Sequence, residues 1–292
     1  MLQFEHNGVM RDYELSIPEG YDGQTKAPVI VSLHGFTSNI AQEDAATRFP
    51  TEGGKRGYVV VTPLALNSTV QLPMGNVTGP LWNTSAFVPP VDGGLTGMNM
   101  LSADPAKDDV GFIFSLLDSL ATSLCIDTGR VYASGVSNGA GMSVALMCSD
   151  DQRFAAVAPV AGVNMTPLCP VLHGTPIIAF HGTADMADPY TGQSVLGLQL
   201  NLPSVEDQMA HLAGLGGCSA TPTKTMPFSD IEHRVWDCPA LMGAELYTVI
   251  GGGHTWFGAT SHGGTSFLGN DTKSIDATTL ILDFFDMHKR SK

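Results

Sequence analysis

Gly135-Val136-Ser137-Asn138-Gly139 decides the fold. Before it runs Arg130-Val131-Tyr132-Ala133-Ser134, apolar and β-favouring. After it runs Ala140-Gly141-Met142-Ser143-Val144-Ala145-Leu146-Met147, apolar on a helical period. A strand, a glycine-flanked serine and a helix in that order predict a sharp strand–turn–helix reversal. Ser137 then stands at the sheet edge in a strained backbone conformation. Side chains two residues to either side would collide with the neighbouring strand and helix, and Gly135 and Gly139 remove them. The helix N-terminus points at the serine, and the amide of Asn138 is free to hold a developing negative oxygen.

Other strand ends supply the partners. Pro28 to Leu33 is a short apolar run suited to a strand buried on both faces, and it ends in His34-Gly35-Phe36-Thr37. Gly35 lets the backbone turn near the nucleophile, so the amide of Phe36 is the second candidate oxyanion donor. His34 reads as a structural histidine bonded within its loop rather than as a proton carrier. Pro176 to Phe180 is a strand that leads into His181-Gly182-Thr183-Ala184-Asp185. Asp185, with Asp188 as its rival, is placed to orient a histidine. Glu245 to Ile250 is the last strand and runs into Gly251-Gly252-Gly253-His254. His254 directly follows a strand and is preferred as the base over His262, which sits in a glycine-rich loop.

The order Ser137, Asp185, His254 is that of the α/β-hydrolase fold: a mostly parallel central sheet with helices on both faces. Other elements fit. Strands are predicted at 9–17, 58–62, 154–161 and 231–236, and helices at 42–55, 104–124, 204–214 and 276–289. Asp108-Asp109 reads as the cap and first turn of its helix. Residues 64–101 carry little periodicity but much apolar mass, including Trp82, Phe87, Met74, Leu95, Met98 and Met100. They read as a pocket wall rather than a disordered tract. Residues 218–238 read as a hairpin or excursion.

The 292 residues, 43% of them hydrophobic, suffice for one large core, and no linker or repeat divides them, so one catalytic domain over 1–292 is expected. A formal net charge of -14 weighs against nucleic acid and anionic membranes as partners. The apolar runs are too short to span a bilayer. Residues 1–6 have neither the basic head nor the apolar stretch of a secretory leader, so any such leader is expected to have been trimmed. The five cysteines lack zinc spacing and CxxC pairs, so no metal is expected. Cys218–Cys238 and Cys148–Cys169 are the expected bridges, with five buried thiols as the alternative. Asn67, Asn76, Asn83, Asn164 and Asn270 begin Asn-x-Ser/Thr triplets, which matter only in a glycosylating host.

Taken together, Leu33-His34-Gly35, Asp108 to Ile113, Ile126-Asp127 with Arg130-Val131-Tyr132, the Ser137 pentapeptide, His181 to Asp185 with Pro189-Tyr190, and Gly252 to Trp256 resemble the esterase/polyhydroxybutyrate depolymerase family, which includes feruloyl and acetylxylan esterases. The resemblance runs from about residue 3 to 290. It implies a cofactor-free serine esterase, secreted or periplasmic, acting on small-molecule or polymer esters. It also implies that Trp82, Asn83 and Trp256 line the acyl pocket. Phe257-Gly258 stands where the family has Pro-Gly, a change expected to reshape one pocket wall. No polymer- or carbohydrate-binding module accompanies these residues, which weighs against an insoluble polymer. Feruloyl, aromatic or short-acyl esters are thus the first expectation and a polyester the second. Acyl transfer to an alcohol and a non-catalytic binding protein stand further back, and the oligomeric state is open.

Overall fold

The computed structural model describes residues 1–73, 75–84, 107–149, 152–166, 174–199, 202–259 and 269–290. Ten strands form one sheet. They are β1 (Leu2–His6), β2 (Val9–Ser16), β3 (Ala27–Leu33), β4 (Val59–Pro63), β7 (Ile126–Val136), β8 (Ala156–Val160), β9 (Ile177–Gly182), β12 (Thr223–Phe228), β13 (Ile231–Val235) and β14 (Ala244–Val249), in the order β1-β2-β4-β3-β7-β8-β9-β14-β13-β12. The six central strands, β4 to β14 in that order, are parallel. An antiparallel pair extends each side. Two small hairpins stand apart: β5 (Asn67–Leu72) with β6 (Gly75–Pro80), and β10 (Ser194–Val195) with β11 (Leu198–Gln199).

The period of two along each central strand sorts its side chains onto two faces. Val29, Val31 and Leu33 of β3 join one core with α2 (Asp109–Ser123), α3 (Asn138–Met147) and α4 (Val205–Leu215). Ile30 joins the other with α5 (Ala277–Met287), Phe49, Trp256 and Phe257. Both faces are therefore covered, which is why these strands read as continuous apolar runs.

Two predicted elements differ in detail. The helix expected at 42–55 is split: α1 (Ile40–Thr47) ends at Arg48 in a left-handed conformation (φ 54°), and Phe49–Gly53 forms a π-helical turn. Pro50 cannot donate into the ladder of a continuing helix, and Arg48 is instead held by Asp276 at 2.6 Å. Residues 67–72 and 75–80, predicted as irregular wall, form the strands β5 and β6, paired antiparallel. Their alternation is written in Asn, Ser, Thr and Gln rather than in large β-formers, so the signal is faint. The 218–238 excursion extends the sheet through β12 and β13 and is closed by a Cys218–Cys238 disulfide. Cys169, the expected partner of Cys148, lies outside the described residues.

The acidic pair divides its duties. Asp108 caps α2, accepting a hydrogen bond from the Gly111 amide at 2.9 Å. Asp109 is buried and pairs with Arg11 of β2, whose guanidinium lies over the Phe112 ring at 4.0 Å. Among the described residues no helix is long and apolar enough to cross a membrane.

Candidate active site

β7 ends at Val136 and α3 begins at Asn138, leaving Ser137 alone between them at φ 59°, ψ -123°. That conformation costs a non-glycine residue on the order of 1–3 kcal/mol, so the surroundings must enforce it. They do so from both sides. The Ser137 amide donates to Val160 of β8 at 2.9 Å, and its carbonyl accepts from Gly141 of α3 at 3.0 Å. A Cβ on Gly135 would lie 2.3 Å from the Leu33 carbonyl oxygen, and one on Gly139 only 1.9 Å from it. The glycines are therefore required by the approach of the β3 strand end as well as by the turn.

Asp185 and His254 come from the loops after β9 and β14, which are neighbours in the sheet. These loops are stitched together. Thr183 donates to the Val249 carbonyl and Ala184 to the Gly252 carbonyl, each at 2.9 Å. A Cβ on Gly182 would meet the Gly252 oxygen at 2.2 Å, so this stitch also demands glycine. His254 Nδ1 donates to Asp185 Oδ2 at 2.7 Å, with both side chains buried. Asp185 Oδ1 accepts from the amides of Ala187 (2.9 Å) and Asp188 (2.8 Å). With Nδ1 carrying the proton, Nε2 of His254 is left as the basic nitrogen.

Two further groups crowd Asp185. His181, wholly buried, points Nε2 at the Asp188 carbonyl (2.8 Å) and stands 3.4 Å from Asp185 Oδ2. Burial pushes its imidazole below the usual range, so it is neutral there. Asp188 is also wholly buried. Burial, and then the charge of Asp185, push its carboxyl well above the usual range, so it keeps its proton. Of the two rival aspartates it is Asp185 that meets His254. The sequence reading took His181 only as part of a strand end. Its place four residues before Asp185, buried on β9, is a register fact that becomes visible once the strand is paired.

The loop after β3 carries the other candidate donor. His34 is fully buried; Nδ1 donates to the Gly35 carbonyl at 2.8 Å and Nε2 accepts from the Ala65 amide at 3.0 Å. Burial lowers its pKa to about 4, so it is a neutral loop brace, as read from sequence. Phe36 is half-buried and Thr37 is exposed at φ 62°. At the other donor, Asn138 is the first residue of α3, where an amide has no acceptor within the helix.

Two of the expected pocket residues, Trp82 and Trp256, are buried. Trp82 is fully buried, with its Nε1–H on the His34 carbonyl at 2.9 Å. Trp256 is buried against Phe49, with its Nε1–H on Thr278 Oγ1 at 3.0 Å. Both indoles brace loops from within the core and offer no face to a ligand. Asn83 is half-buried and tied to the start of α2: its amide donates to Asp109 and its side chain to the Lys107 carbonyl. Phe257, expected to reshape a pocket wall, is itself buried in the core. Phe87, Met74, Leu95, Met98, Met100 and the rival base His262 lie outside the described residues.

No family model matches the chain. Curated relatives do. "Feruloyl esterase B" of Piromyces equi is 25% identical over 252 residues, covering 82% of this chain and 42% of that protein. "Feruloyl esterase D" of Neurospora crassa is 27% identical over 179 residues, covering 61% of this chain and 54% of that protein. The chain thus spans about half the length of the curated relatives it matches. In structure it is similar to an acetyl xylan esterase from Aspergillus awamori, with a TM-score of 0.57 at 12% identity over 94% of this chain and 93% of that one. It is also similar to esterase PE8, with a TM-score of 0.51 at 16% identity over 93% and 99%. In fold the chain is thus similar to esterases of the α/β-hydrolase type, and in sequence it is similar to feruloyl esterases.

Proposed function

We propose that the chain, as one catalytic domain, is a serine carboxylic ester hydrolase that works through Ser137, His254 and Asp185. The observation that carries this reading is the buried 2.7 Å pair of His254 and Asp185, set at the same sheet edge as the strained Ser137. A serine hydroxyl is a poor nucleophile at neutral pH. Nε2 of His254 takes its proton as Oγ attacks the ester carbonyl. Asp185 holds the tautomer and stabilises the imidazolium. The amides of Phe36 and Asn138 receive the oxyanion, each worth about 3 kcal/mol of barrier. His254 returns the proton to the leaving alkoxide, and an alcohol departs. Water then repeats the cycle on the acyl-enzyme and releases the acid.

The names of the relatives favour feruloyl or other aromatic acyl groups and short acyl groups, with acetylated or feruloylated polysaccharide fragments as the substrate class. A polyester is the second reading. Met186 and Ile250, 77% and 49% exposed on the loops that carry Asp185 and His254, support it as apolar surface beside the site. The disulfide between Cys218 and Cys238 supports export to an oxidising compartment.

Steady-state hydrolysis of p-nitrophenyl acetate, butyrate and octanoate, methyl ferulate and polyhydroxybutyrate powder tests the proposal, with wild type beside Ser137→Ala. The expected result is wild-type turnover of the soluble esters, with a loss of about a thousandfold or more in the alanine variant. Faster turnover of powder than of soluble esters selects the polyester reading. Equal, feeble rates for both proteins remove the esterase reading.

A further inference from the structure

The two amides assigned to the oxyanion belong to elements far apart in sequence. Phe36 follows β3 and Asn138 opens α3. The β3–β7 ladder ends at Leu33 opposite Gly135, so sheet pairing does not reach either amide. Something else must set the distance between them.

Residues 79–82 make the missing connections. Thr37 donates its amide to the Pro80 carbonyl at 3.0 Å, and the Trp82 indole donates to the His34 carbonyl at 2.9 Å. The loop is therefore held on both sides of Phe36. Asn138 then joins the same segment from the opposite side. Its Oδ1 accepts from the Trp82 amide at 2.7 Å, and its Nδ2 donates to the Trp82 carbonyl at 3.1 Å. Asn138 and Trp82 are both buried, so each of these bonds is made away from competing water. Contact is close enough to require glycine: a Cβ on Gly79 would meet Thr37 Cγ2 at 2.9 Å and its Cα at 3.0 Å. Thr37 is β-branched yet sits at φ 62°, a conformation such a residue adopts when its neighbours impose it.

We infer that Gly79–Trp82 is a strap that fixes the spacing of the Phe36 and Asn138 amides, with the Asn138 side chain and the Trp82 indole as its positioning residues. This inference rests on the esterase reading, and it concerns the transition state in particular. The ester carbonyl of the bound substrate makes weaker use of the amides than the tetrahedral oxyanion does. Displacement by about 1 Å costs on the order of a hundredfold in rate. Loosening the strap therefore lowers kcat and spares KM.

The test uses Asn138→Ala, Trp82→Phe and the double variant, with p-nitrophenyl acetate as substrate and phenylboronic acid as a tetrahedral-adduct inhibitor. Circular dichroism and the thermal midpoint report folding. Each single variant is expected to lose about ten- to a hundredfold in kcat with KM changed by less than about twofold, and boronate affinity is expected to fall in step. The double variant is expected to lose less than the product of the two, because both changes release one strap. If either variant is insoluble, Gly79→Ala reads the same quantities, since it displaces Thr37 and leaves both other groups in place. Folded variants with wild-type kcat, or with losses confined to KM, overturn the inference while the esterase reading stands. A wild type that hydrolyses no ester removes both.

Discussion

Asp185 Oδ2 accepts the Nδ1 proton of His254 at 2.7 Å while its other oxygen is filled by the amides of Ala187 and Asp188. One carboxylate is thus fixed in rotation by its own loop, with Oδ2 left for the imidazole. Asp188, three residues on, keeps its proton in a buried site and makes no such bond to His254 in the hydrogen-bond pattern described above.

This separates the two aspartates experimentally. Asp185→Asn offers an amide where an acceptor is needed and holds His254 in the wrong tautomer. A fall in kcat of about ten-thousandfold is expected, by analogy with the known loss in serine proteases. Asp188→Asn replaces one neutral buried group by another and is expected to leave kcat within about threefold. Steady-state rates on p-nitrophenyl acetate decide it; equal losses in the two variants would sink the assignment of Asp185.

The serine turn makes a second, structural prediction. A methyl on Gly139 would sit 1.9 Å from the Leu33 oxygen and 2.7 Å from that of His34, both backbone atoms that cannot rotate away. Gly139→Ala is therefore expected to cost more than about 3 kcal/mol and to yield little folded protein. Gly54, with open space around its Cβ position and a helical φ of -56°, is the control, and Gly54→Ala is expected to be neutral or slightly stabilising. Urea unfolding of the two variants provides the comparison.

The fold is legible in the sequence where local pattern and tertiary role coincide. The Ser137 turn, the apolar strand at 28–33 and the loops carrying Asp185 and His254 each combine a short β-run with a chemically distinctive end. What stays hidden depends on contacts between distant residues. Arg11 and Asp109 are 98 positions apart, and the arginine looks like an ordinary polar residue of a half-exposed strand until α2 packs on it. Trp82 draws attention as an aromatic near a site, and composition cannot say whether its indole faces a ligand or the core. The Asn138 side chain follows the same rule: the serine pentapeptide singles out only its backbone amide, and the partners of its side chain lie at residue 82.

Glu43 lends the protein a pH dependence of definite sign. It is fully buried on α1, with Ser32 Oγ donating to Oε1 at 3.2 Å, and burial raises its carboxyl well above the ordinary 4.5. In the unfolded chain the group ionises as pH passes 4.5, while the folded protein keeps the proton. Its contribution is therefore fully present below pH 4.5 and is lost as pH rises toward the folded value. Glu43→Gln has no proton to hold. Its unfolding free energy relative to wild type is expected to be near zero at pH 4 and to grow by up to about 1.4 kcal/mol per pH unit above that. Urea titrations between pH 4 and 8 read the difference directly; a flat difference would show that Glu43 is ionised in the folded state.

The disulfide is expected to matter for stability and not for turnover. Cys218 follows α4 and Cys238 follows β13, with a sequence separation of 20, so the bridge closes the segment that holds β12 and β13. Closing a loop of that length contributes about 3 kcal/mol by restricting the unfolded chain. All six residues of β12 are exposed, so this edge hairpin has little burial of its own to replace that constraint. β13 runs antiparallel to β14, pairing Val235 with Glu245, which places the bridge at the end of the sheet away from His254. Replacing both cysteines by serine is expected to lower the thermal midpoint by roughly 5–10 °C. Turnover of p-nitrophenyl acetate at 25 °C is expected to stay within about twofold, because the bridge lies by the start of β14 and His254 follows its end. A variant that melts like wild type would mean that the sheet edge holds the hairpin unaided. Lost activity with an unchanged melt would mean that the hairpin communicates with the site through β14.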